Sequence, residues 1–247
     1  MGVKTRHKKK TMTSGTKYPP YWENKGFDVG GFYSYARADK INIVSSKVQS
    51  MTDISSQGNN FTQADAARRP AYGSTKLNGI SIADHNNDWL NFGATGANKF
   101  VDNTEGQTIF LVGEANDDET IFAKWDGPAG NRKWRVRANS YTVQSAGGGV
   151  NNDQLISFTN PGTTAAFTYV WEPSARCDVY VNNIYQGRST SPANTTAAAN
   201  EPTKMGATSN NASPLAPGKI AEILAYRKAL SPRQIRKTVR WQQRRWL

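Results

Sequence analysis

The sharpest pattern of apolar and polar positions lies at the C-terminal end of the chain. Residues 220–226 form a short apolar run with one acid, which predicts a strand inside a sheet. A helix start follows, because Ser231 is a good N-cap, Pro232 suits the first helical position, and Gln234 can bond back to the cap. The face of the predicted helix over 232–247 that would dock on the body comprises Ile235, Thr238, Val239, Gln242 and Trp246.

The rest of the chain contains short apolar or alternating runs that are separated by Gly, Asn, Ser, Thr and Pro. This spacing predicts a sandwich or barrel and argues against alternating strands and helices. Asn182 and Asn183 predict a tight hairpin, because asparagine tolerates the positive φ that such turns need. Alternation in 133–138 places Trp134 towards the core and Arg135 towards solvent. Strands are predicted at 107–112, 121–125, 133–138, 165–171, 178–181 and 184–187.

Two groups of motifs, one within residues 48–90 and one within residues 218–231, resemble one known family. The closing group is Gly218-Lys-Ile-Ala-Glu-Ile-Leu-Ala-Tyr226 followed by Ala229-Leu-Ser231. The opening group is the segment 48–63, then Arg69-Pro70, Leu77-Asn-Gly79 and Asp88-Trp-Leu90. Together they resemble the two ends of laminin-G-like modules in the concanavalin A-like lectin/glucanase superfamily. Met51 stands where the family usually has Trp, and Ser56-Gln57 replaces its usual Ser-Gly.

This resemblance covers roughly residues 40–247 and implies the fold class. That class is an all-β, two-sheet antiparallel jelly-roll sandwich of the concanavalin A-like type, with an extended N-terminal arm and one C-terminal helix. A boundary near residue 38 divides the chain into a basic and aromatic arm over 1–37 and a jelly roll over 38–247. The aromatic, Pro- and Gly-rich part of the arm predicts a strap along the body or a neighbouring subunit. Such folds host many functions, so the resemblance implies no activity.

Positive charge is concentrated at the two ends of the chain. The formal net charge is +12. Residues 1–10 carry five bases and no acid, residues 231–247 carry six bases and no acid, and the other 220 residues hold 20 bases and 19 acids. Charge confined to both termini predicts two docking points for an acidic partner, whereas a solvated helix face and a disordered tail are the alternatives. The predicted partner-binding residues are Lys4, Arg6, Lys8, Lys9, Lys10, Tyr18, Tyr21, Trp22, Arg236, Arg240 and Arg244.

No catalytic constellation is recognisable in the sequence. The one dense acidic cluster, Glu114 with Asp117, Asp118 and Glu119, falls in a predicted loop. Glycosidases on this fold often place alternate acids of one strand in a cleft, and no E-x-D-x-E run occurs here. The two histidines are too few for a histidine-based metal cluster. We therefore predict no catalytic residues and no enzyme.

Several other functional classes are disfavoured by single features. Cys177 has no cysteine partner, and its alternation with Val179 and Val181 predicts a small buried side chain. No apolar run is long enough to span a bilayer, and no secretory signal is recognisable. The Asp- and Asn-rich segments 84–88 and 151–153 lack the ordered ligand spacing of a Ca²⁺ site, so we predict no metal and no cofactor.

Four strand aromatics are candidates for a glycan-binding groove: Tyr141, Trp171, Tyr180 and Tyr185. Sugar rings stack on aromatic faces, but most strand aromatics of a sandwich fill its core, and the sequence alone does not separate the two roles. Nucleic acid could contact the basic ends together with Trp241 and Trp246. No nucleic-acid module is recognisable, so a protein partner ranks above nucleic acid.

These patterns favour a non-enzymatic structural or binding protein. The more specific hypothesis is a virion component of a tailed phage. The resemblance supplies part of it, because such jelly rolls recur in capsid decoration, fibre and tail proteins. The rest comes from the missing signal, the single cysteine, the neutral body rich in Asn, Thr and Ser, and the basic arm. In this hypothesis the basic arm anchors multiple copies of the chain to other virion proteins, and the lectin-like body is displayed on the virion. The alternative is a carbohydrate-binding receptor-recognition module, or adhesin, that contacts a host-surface glycan. A glycoside hydrolase ranks last.

Overall fold

The computed structural model describes residues 29–55, 58–92, 106–116, 119–125, 132–144, 153–173, 175–189, 203–208 and 217–247. The described part contains antiparallel strands, two short 3-10 helices (Ala38–Lys40 and Ala66–Arg68) and the helix α1 (Pro232–Trp246). The strands are β1 (Val29–Ser34), β2 (Ile41–Val44), β3 (Lys47–Met51), β4 (Phe61–Thr62), β5 (Ala71–Leu77), β6 (Ile80–His85), β7 (Leu90–Phe92), β8 (Gln107–Glu114), β9 (Thr120–Trp125), β10 (Arg132–Arg137), β11 (Ser140–Gln144), β12 (Asp153–Ser157), β13 (Ala165–Glu172), β14 (Arg176–Val181), β15 (Ile184–Ser189), β16 (Lys204–Met205) and β17 (Gly218–Tyr226).

The strands form two sheets with a connection at one side. Sheet 1 has the order β15–β14–β13–β8–β17–β1. Sheet 2 has the order β12–β11–β10–β9–β16–β7–β4–β3–β2. The hairpin of β5 and β6 joins them, because β6 pairs with the start of β17 and β5 pairs with β3. This arrangement confirms the predicted all-β jelly-roll fold with one C-terminal helix.

Large side chains from the inner faces of the two sheets fill the space between them. Tyr141 of sheet 2 contacts Tyr169 of sheet 1, with ring centroids 5.3 Å apart. Trp134 packs on Phe122 with a centroid distance of 4.8 Å, and both are fully buried. The prediction that Trp134 faces the core is confirmed. Cys177 is also buried, and burial raises the pKa of its thiol to about 12, so it is a protonated core side chain.

Helix α1 covers the outer face of sheet 1. Its start confirms the predicted signals, because the backbone N–H of Ser231 donates to Oε1 of Gln234 at 2.8 Å. The Ser231 hydroxyl donates to the same oxygen at 2.8 Å. The buried face of α1 contains the predicted set, Ile235, Thr238, Val239, Gln242 and Trp246.

A buried glutamate connects this helix to two strands. Glu222 of β17 accepts hydrogen bonds from the Ser34 hydroxyl of β1 at 2.8 Å and from the Gln242 amide of α1 at 3.1 Å. A guanidinium nitrogen of Arg245 lies 3.5 Å from the same carboxylate. Burial raises the pKa of Glu222, and Arg245 and the two hydrogen bonds oppose that rise. One acidic side chain therefore fixes α1 and β1 against the centre of sheet 1.

The predicted domain boundary near residue 38 is too late. Residues 29–34, which the prediction assigned to the arm, form β1 and pair with β17 across the edge of sheet 1. Phe32, Tyr33 and Tyr35 are buried in the core, so they are part of the body rather than an external strap. The prediction failed because the alternating aromatic residues of β1 follow two glycines, and their pairing with the last strand is not visible locally.

Candidate functional site

The exposed face of α1 carries a straight row of positive side chains. Arg233, Arg236, Arg240 and Arg244 are all exposed, and we call these four residues the arginine stripe. At 100° per residue they fall within an arc of about 80°, and at 1.5 Å per residue they extend over about 16 Å. Lys237 is exposed beside them. Among the described ion pairs, none involves a residue of the stripe.

Arg245 has a different role from the stripe. Its guanidinium lies over the ring of Trp241, 4.2 Å from the ring centroid, and it reaches Glu222. This side chain is therefore engaged inside the fold, with its apolar stem and planar head used for packing. The backbone carbonyl of Arg245 also accepts from the Asn78 amide at 2.9 Å, which fastens the last turn of α1 to the β5–β6 hairpin.

The structure places three of the predicted partner-binding residues and brings them together. Arg236, Arg240 and Arg244 belong to the arginine stripe. Arg233 was omitted from the prediction, although its position three residues before Arg236 is the helical spacing that would have identified it. The other predicted partner-binding residues, Lys4, Arg6, Lys8, Lys9, Lys10, Tyr18, Tyr21 and Trp22, lie outside the described residues.

A second exposed surface lies on the β14–β15 hairpin. Tyr180 and Tyr185 face each other across the two strands, with ring centroids 5.5 Å apart in an edge-on arrangement. Tyr185 is 50% exposed and Ile184 is 67% exposed, so the hairpin presents apolar surface to solvent. The turn between the strands has φ values of 51° at Asn182 and 70° at Asn183, as predicted from the two asparagines.

An arginine is fixed beside these tyrosines. Arg188 donates to the Asp178 carboxylate through two nitrogens, at 2.7 and 3.1 Å, and the Asp178 side chain is only 1% exposed. Arg176 approaches the same carboxylate at 3.5 Å. The hydrogen bonds to Asp178, and then its charge, raise the pKa of the Arg188 guanidinium. Arg188 is therefore held in one orientation while part of its side chain stays exposed.

Two of the four glycan candidates are wrong. Tyr141 and Trp171 are both fully buried, because their strand faces point into the space between the sheets. Tyr141 contacts Tyr169 there, and Trp171 lies on the same face of β13 as Tyr169. Neither ring offers a face to a sugar. Only the hairpin tyrosines, Tyr180 and Tyr185, remain as glycan candidates.

Comparison with known proteins identifies the family. The family model Laminin_G_3, described as a concanavalin A-like lectin/glucanases superfamily domain, matches residues 88–236, which is more than half of the chain. The chain belongs to this family. No curated protein matches the sequence.

Solved structures agree with this family assignment at the level of the fold. The Laminin_G_3 domain superposes on the binding domain of Paraclostridial Mosquitocidal Protein 1 with a TM-score of 0.58 and 10% identity, over 86% of this chain and 52% of that one. The Botulinum Neurotoxin Type G receptor binding domain gives a TM-score of 0.55 and 10% identity, over 87% of this chain and 51% of that one. Trypanosoma rangeli sialidase gives a TM-score of 0.52 and 12% identity, over 86% of this chain and 32% of that one. The chain spans about half the length of the first two structures.

Two acids of the predicted acidic cluster, Glu114 and Glu119, are engaged in structural contacts. Glu114 accepts from the Lys219 ammonium at 3.0 Å and from the Thr164 hydroxyl at 2.9 Å. Glu119 accepts from the backbone N–H of Asn116 at 3.0 Å, and the intervening Asp117 and Asp118 lie outside the described residues. Over the same described ranges there is no group of three His, Cys, Asp or Glu side chains that could hold a metal ion.

His85 is a core side chain and not a titrating group near neutral pH. It is buried, and burial lowers its pKa to about 4. Its Nδ1 lies 2.9 Å from the backbone oxygen of Asp88, so Nδ1 carries the proton and donates it to that oxygen. In the part of the chain that the structure describes, no helix is long and apolar enough to cross a membrane.

Proposed function

We propose that this Laminin_G_3 domain is a non-enzymatic attachment protein of a tailed-phage virion, placed either as a capsid decoration or in the tail. Its basic ends fasten it to an acidic surface of another virion protein, and its lectin-like body is displayed outward in multiple copies. The arginine stripe is the observation that carries this proposal. These arginines are exposed in a row and have no described acidic partner. Carboxylates on a neighbouring protein would pair with them and give an electrostatically complementary interface.

Repulsion between the arginines of the stripe destabilises α1, and an acidic partner would reduce that repulsion. Like charges three or four residues apart on a helix repel each other and destabilise it by roughly 0.2–0.5 kcal/mol per pair. Arg233 with Arg236, Arg236 with Arg240, and Arg240 with Arg244 are three such pairs. The buried face of α1 offsets this repulsion in the isolated chain, and partner carboxylates would remove it. Arginine suits the role because its planar fork binds a carboxylate through two hydrogen bonds.

We expect Arg240→Glu to weaken attachment strongly without unfolding the domain. The exposed side chain contributes little to folding, whereas a reversed charge in the middle of the stripe repels an acidic partner. Virions purified from cells that express the variant should carry roughly tenfold less of it than of the wild-type chain, measured by quantitative mass spectrometry. Thermal unfolding monitored by circular dichroism should be unchanged.

Lys76→Glu is the matched control, because Lys76 is an exposed base on β5 and its substitution changes the net charge equally. Incorporation of this control should equal that of the wild type. Equal losses of incorporation for both variants would mean that only the net charge matters and not the position of Arg240. Full incorporation of Arg240→Glu would overturn the proposal. A chain that never copurifies with virions would overturn the virion assignment itself.

The β14–β15 hairpin favours a second candidate function, recognition of a host-surface glycan. The half-exposed ring of Tyr185 can stack on the C–H face of a sugar, and Tyr180 supports that ring from the side. Arg188 is fixed by Asp178 and can donate to sugar hydroxyl oxygens through the N–H groups that Asp178 does not use. An exposed aromatic ring with a few fixed polar groups is typical of ligand-binding surfaces.

We expect Tyr185→Ala to weaken glycan binding strongly while Tyr185→Phe retains it. Alanine removes the stacking surface, and phenylalanine removes only the hydroxyl group. On a glycan array, the alanine variant should lose about tenfold in signal for every glycan that the wild type binds, and the phenylalanine variant should stay within about threefold. Wild-type binding that survives Tyr185→Ala would place the glycan elsewhere, and the absence of any bound glycan would remove this candidate.

A further inference from the structure

Helix α1 lies over the centre of sheet 1, with a different neighbour on each flank. On one flank, Trp241 lies edge-on to Phe32 of β1, with ring centroids 6.1 Å apart. On the other flank, the Gln243 amide donates to the backbone oxygen of Asn182, in the turn of the β14–β15 hairpin, at 3.3 Å. The helix packs on β13 and β8, which lie between β1 and the hairpin in the sheet. The outer face of the hairpin is therefore beside α1 and not beneath it.

Two arginines of the stripe belong to the flank of α1 that faces the hairpin. At 100° per residue, Arg236 and Arg240 fall within about 20° and 60° of Gln243 around the helix axis. Trp241, which faces β1, is about 160° away from Gln243. Both arginines are exposed. Their side chains therefore extend from α1 on the hairpin side.

Strand β14 and α1 run side by side over nearly the same length. Near the start of both, a guanidinium nitrogen of Arg176 donates to the backbone oxygen of Leu230 at 3.4 Å. Near the end of both, Gln243 reaches Asn182. The distance between these two contacts is about 20 Å along either element, at about 3.3 Å per residue of strand and about 1.5 Å per residue of helix. Tyr180, two-thirds of the way along this stretch of β14, is therefore level with the middle of the arginine stripe.

The outer face of the hairpin carries an open aromatic ring and a fixed arginine. Tyr180 points to this face, because the valines on either side of it in β14 are buried in the core. Tyr185 lies opposite Tyr180, and Arg188 lies opposite Asp178. Since α1 is about 10–12 Å across, it forms a wall beside the flat hairpin. We call the surface between them the helix–hairpin groove, and its residues are Arg236, Arg240, Tyr180, Tyr185 and Arg188.

The groove has an excess of positive charge. Asp178 of β14 is paired with Arg188 at 2.7 Å, and Glu172 at the end of β13 is paired with Arg176 at 2.8 Å. These acids do not compensate the stripe, and among the described ion pairs none involves a residue of the stripe. A ligand that fits the groove therefore presents an apolar ring face to Tyr185 and negative charge to α1.

We infer that the helix–hairpin groove binds an acidic glycan, one whose sugars carry carboxylate, sulfate or phosphate groups. This inference rests on the second candidate function, glycan recognition, and specifies the class of glycan. The C–H face of one sugar stacks on the ring of Tyr185, and Arg188 donates to a hydroxyl oxygen beside it. Arg240 and Arg236 bind acidic groups of the same sugar and of its neighbour. Arginine suits this role because its planar fork binds a carboxylate through two hydrogen bonds.

Single-stranded nucleic acid, another anionic chain that stacks on aromatic rings, matches the groove less well. Such chains are usually bound by several aromatic side chains on which successive bases stack. Among the described residues of the groove, Tyr185 alone presents an open ring, because Tyr180 lies edge-on to it and is partly buried. One open ring surrounded by hydrogen-bond donors fits a sugar better than a run of stacked bases.

The groove makes the two candidate functions alternatives for any one copy of the chain. Arg236 and Arg240 bind either the carboxylates of an acidic protein or the acidic groups of a glycan, and not both at once. Tyr185 is needed for the glycan alone, since carboxylates of a protein pair with the arginines without it. Substitution of Tyr185 therefore weakens glycan binding and leaves attachment through the stripe unchanged.

The test measures binding of the purified full-length chain to glycans in matched acidic and neutral forms. The probes are oligogalacturonates with their methyl esters, sulfated oligosaccharides with their desulfated forms, and sialylated glycans with their asialo forms. An oligothymidylate is the nucleic-acid probe. At an ionic strength of about 0.15 M, the acidic form of each pair that binds should bind about tenfold more tightly than the neutral form, because hydrogen bonds to charged groups are stronger.

Two substitutions separate the contributions of charge and stacking. Arg240→Gln should weaken binding of the acidic form by about fivefold and leave the neutral form unchanged, so most of the preference is lost. Tyr185→Ala should weaken binding of both forms by about tenfold. Lys76→Gln is the matched control, because it removes one exposed positive charge on β5, outside the groove, and should leave both affinities unchanged. Circular dichroism checks that each variant is folded.

Three results would each overturn the inference: equal binding of acidic and neutral forms, an unchanged preference in Arg240→Gln, or tighter binding of the oligothymidylate. If neutral glycans bind as well as acidic ones and depend on Tyr185, glycan recognition at the hairpin is supported and the inferred class is wrong. If no glycan binds, both the inference and the second candidate function are wrong.

Discussion

Glu222→Ala will lower the free energy of unfolding by about 3 kcal/mol, one of the two largest effects expected for a single substitution in this chain. The substitution removes the acceptor for Ser34 and Gln242 and leaves the largely buried Arg245 without a carboxylate. Buried donors without an acceptor, and a buried charge without its partner, are both costly. Urea denaturation at neutral pH measures the change.

Glu172→Ala is the matched control for this prediction. Glu172 also pairs with an arginine, Arg176, at 2.8 Å, but its side chain is 44% exposed. Exposed ion pairs contribute about 0–1 kcal/mol, so the control should change stability by no more than that. Similar losses in the free energy of unfolding for both variants would show that the burial of Glu222 does not increase its contribution to stability.

The same glutamate should give the domain a characteristic pH dependence. Burial raises the native-state pKa of Glu222 above its ordinary value of 4.5, so the native state binds this proton more readily than the unfolded chain does. Its contribution to stability is therefore greatest below about pH 4.5 and is lost as the pH rises through the raised native pKa. Glu222→Gln cannot titrate, so the free energy of unfolding of the wild type relative to this variant should fall as the pH increases. A constant or rising difference would contradict the assignment.

Trp134→Ala should be comparably damaging, with a loss of about 3–5 kcal/mol in the free energy of unfolding. Trp134 is fully buried on the inner face of β10 and packs on Phe122 in the space between the sheets. Its removal leaves a cavity that neighbouring strands cannot close without breaking their pairing with β9 and β11. Chemical denaturation of the variant measures the loss, with Lys76→Ala as an exposed control that should stay within about 0.5 kcal/mol. A variant of near wild-type stability would mean that the two sheets are not packed as described.

Sequence patterns predicted those elements that are determined by residues close together in the chain. The buried face of α1 could be read from the spacing of Ile235, Val239 and Trp246, and its start from Ser231 and Gln234. The β14–β15 turn followed from two adjacent asparagines that tolerate positive φ. In each case the residues that decide the structure are close together in the chain, within about three helical turns at most.

Features that depend on distant segments could not be predicted. Strand β13 is buried on both faces, because one face meets sheet 2 and the other lies beneath α1, so its sequence shows no alternation. The sequence therefore could not show that Trp171 points inward. Exposure of Tyr185 depends on β15 being the edge strand of sheet 1, and the burial of Phe32 and Tyr33 depends on the pairing of β1 with β17. Such pairings join residues that are far apart in the chain.

The position of β17 has a consequence for biosynthesis. This strand lies between β1 and β8 in sheet 1, so the earliest and middle parts of the chain have no common neighbour there until residues 218–226 have left the ribosome. Contacts of such long sequence separation form slowly. The nascent polypeptide therefore keeps the edge of β1 that pairs with β17 without its partner strand during most of translation, and sheet 1 is completed only once β17 has emerged.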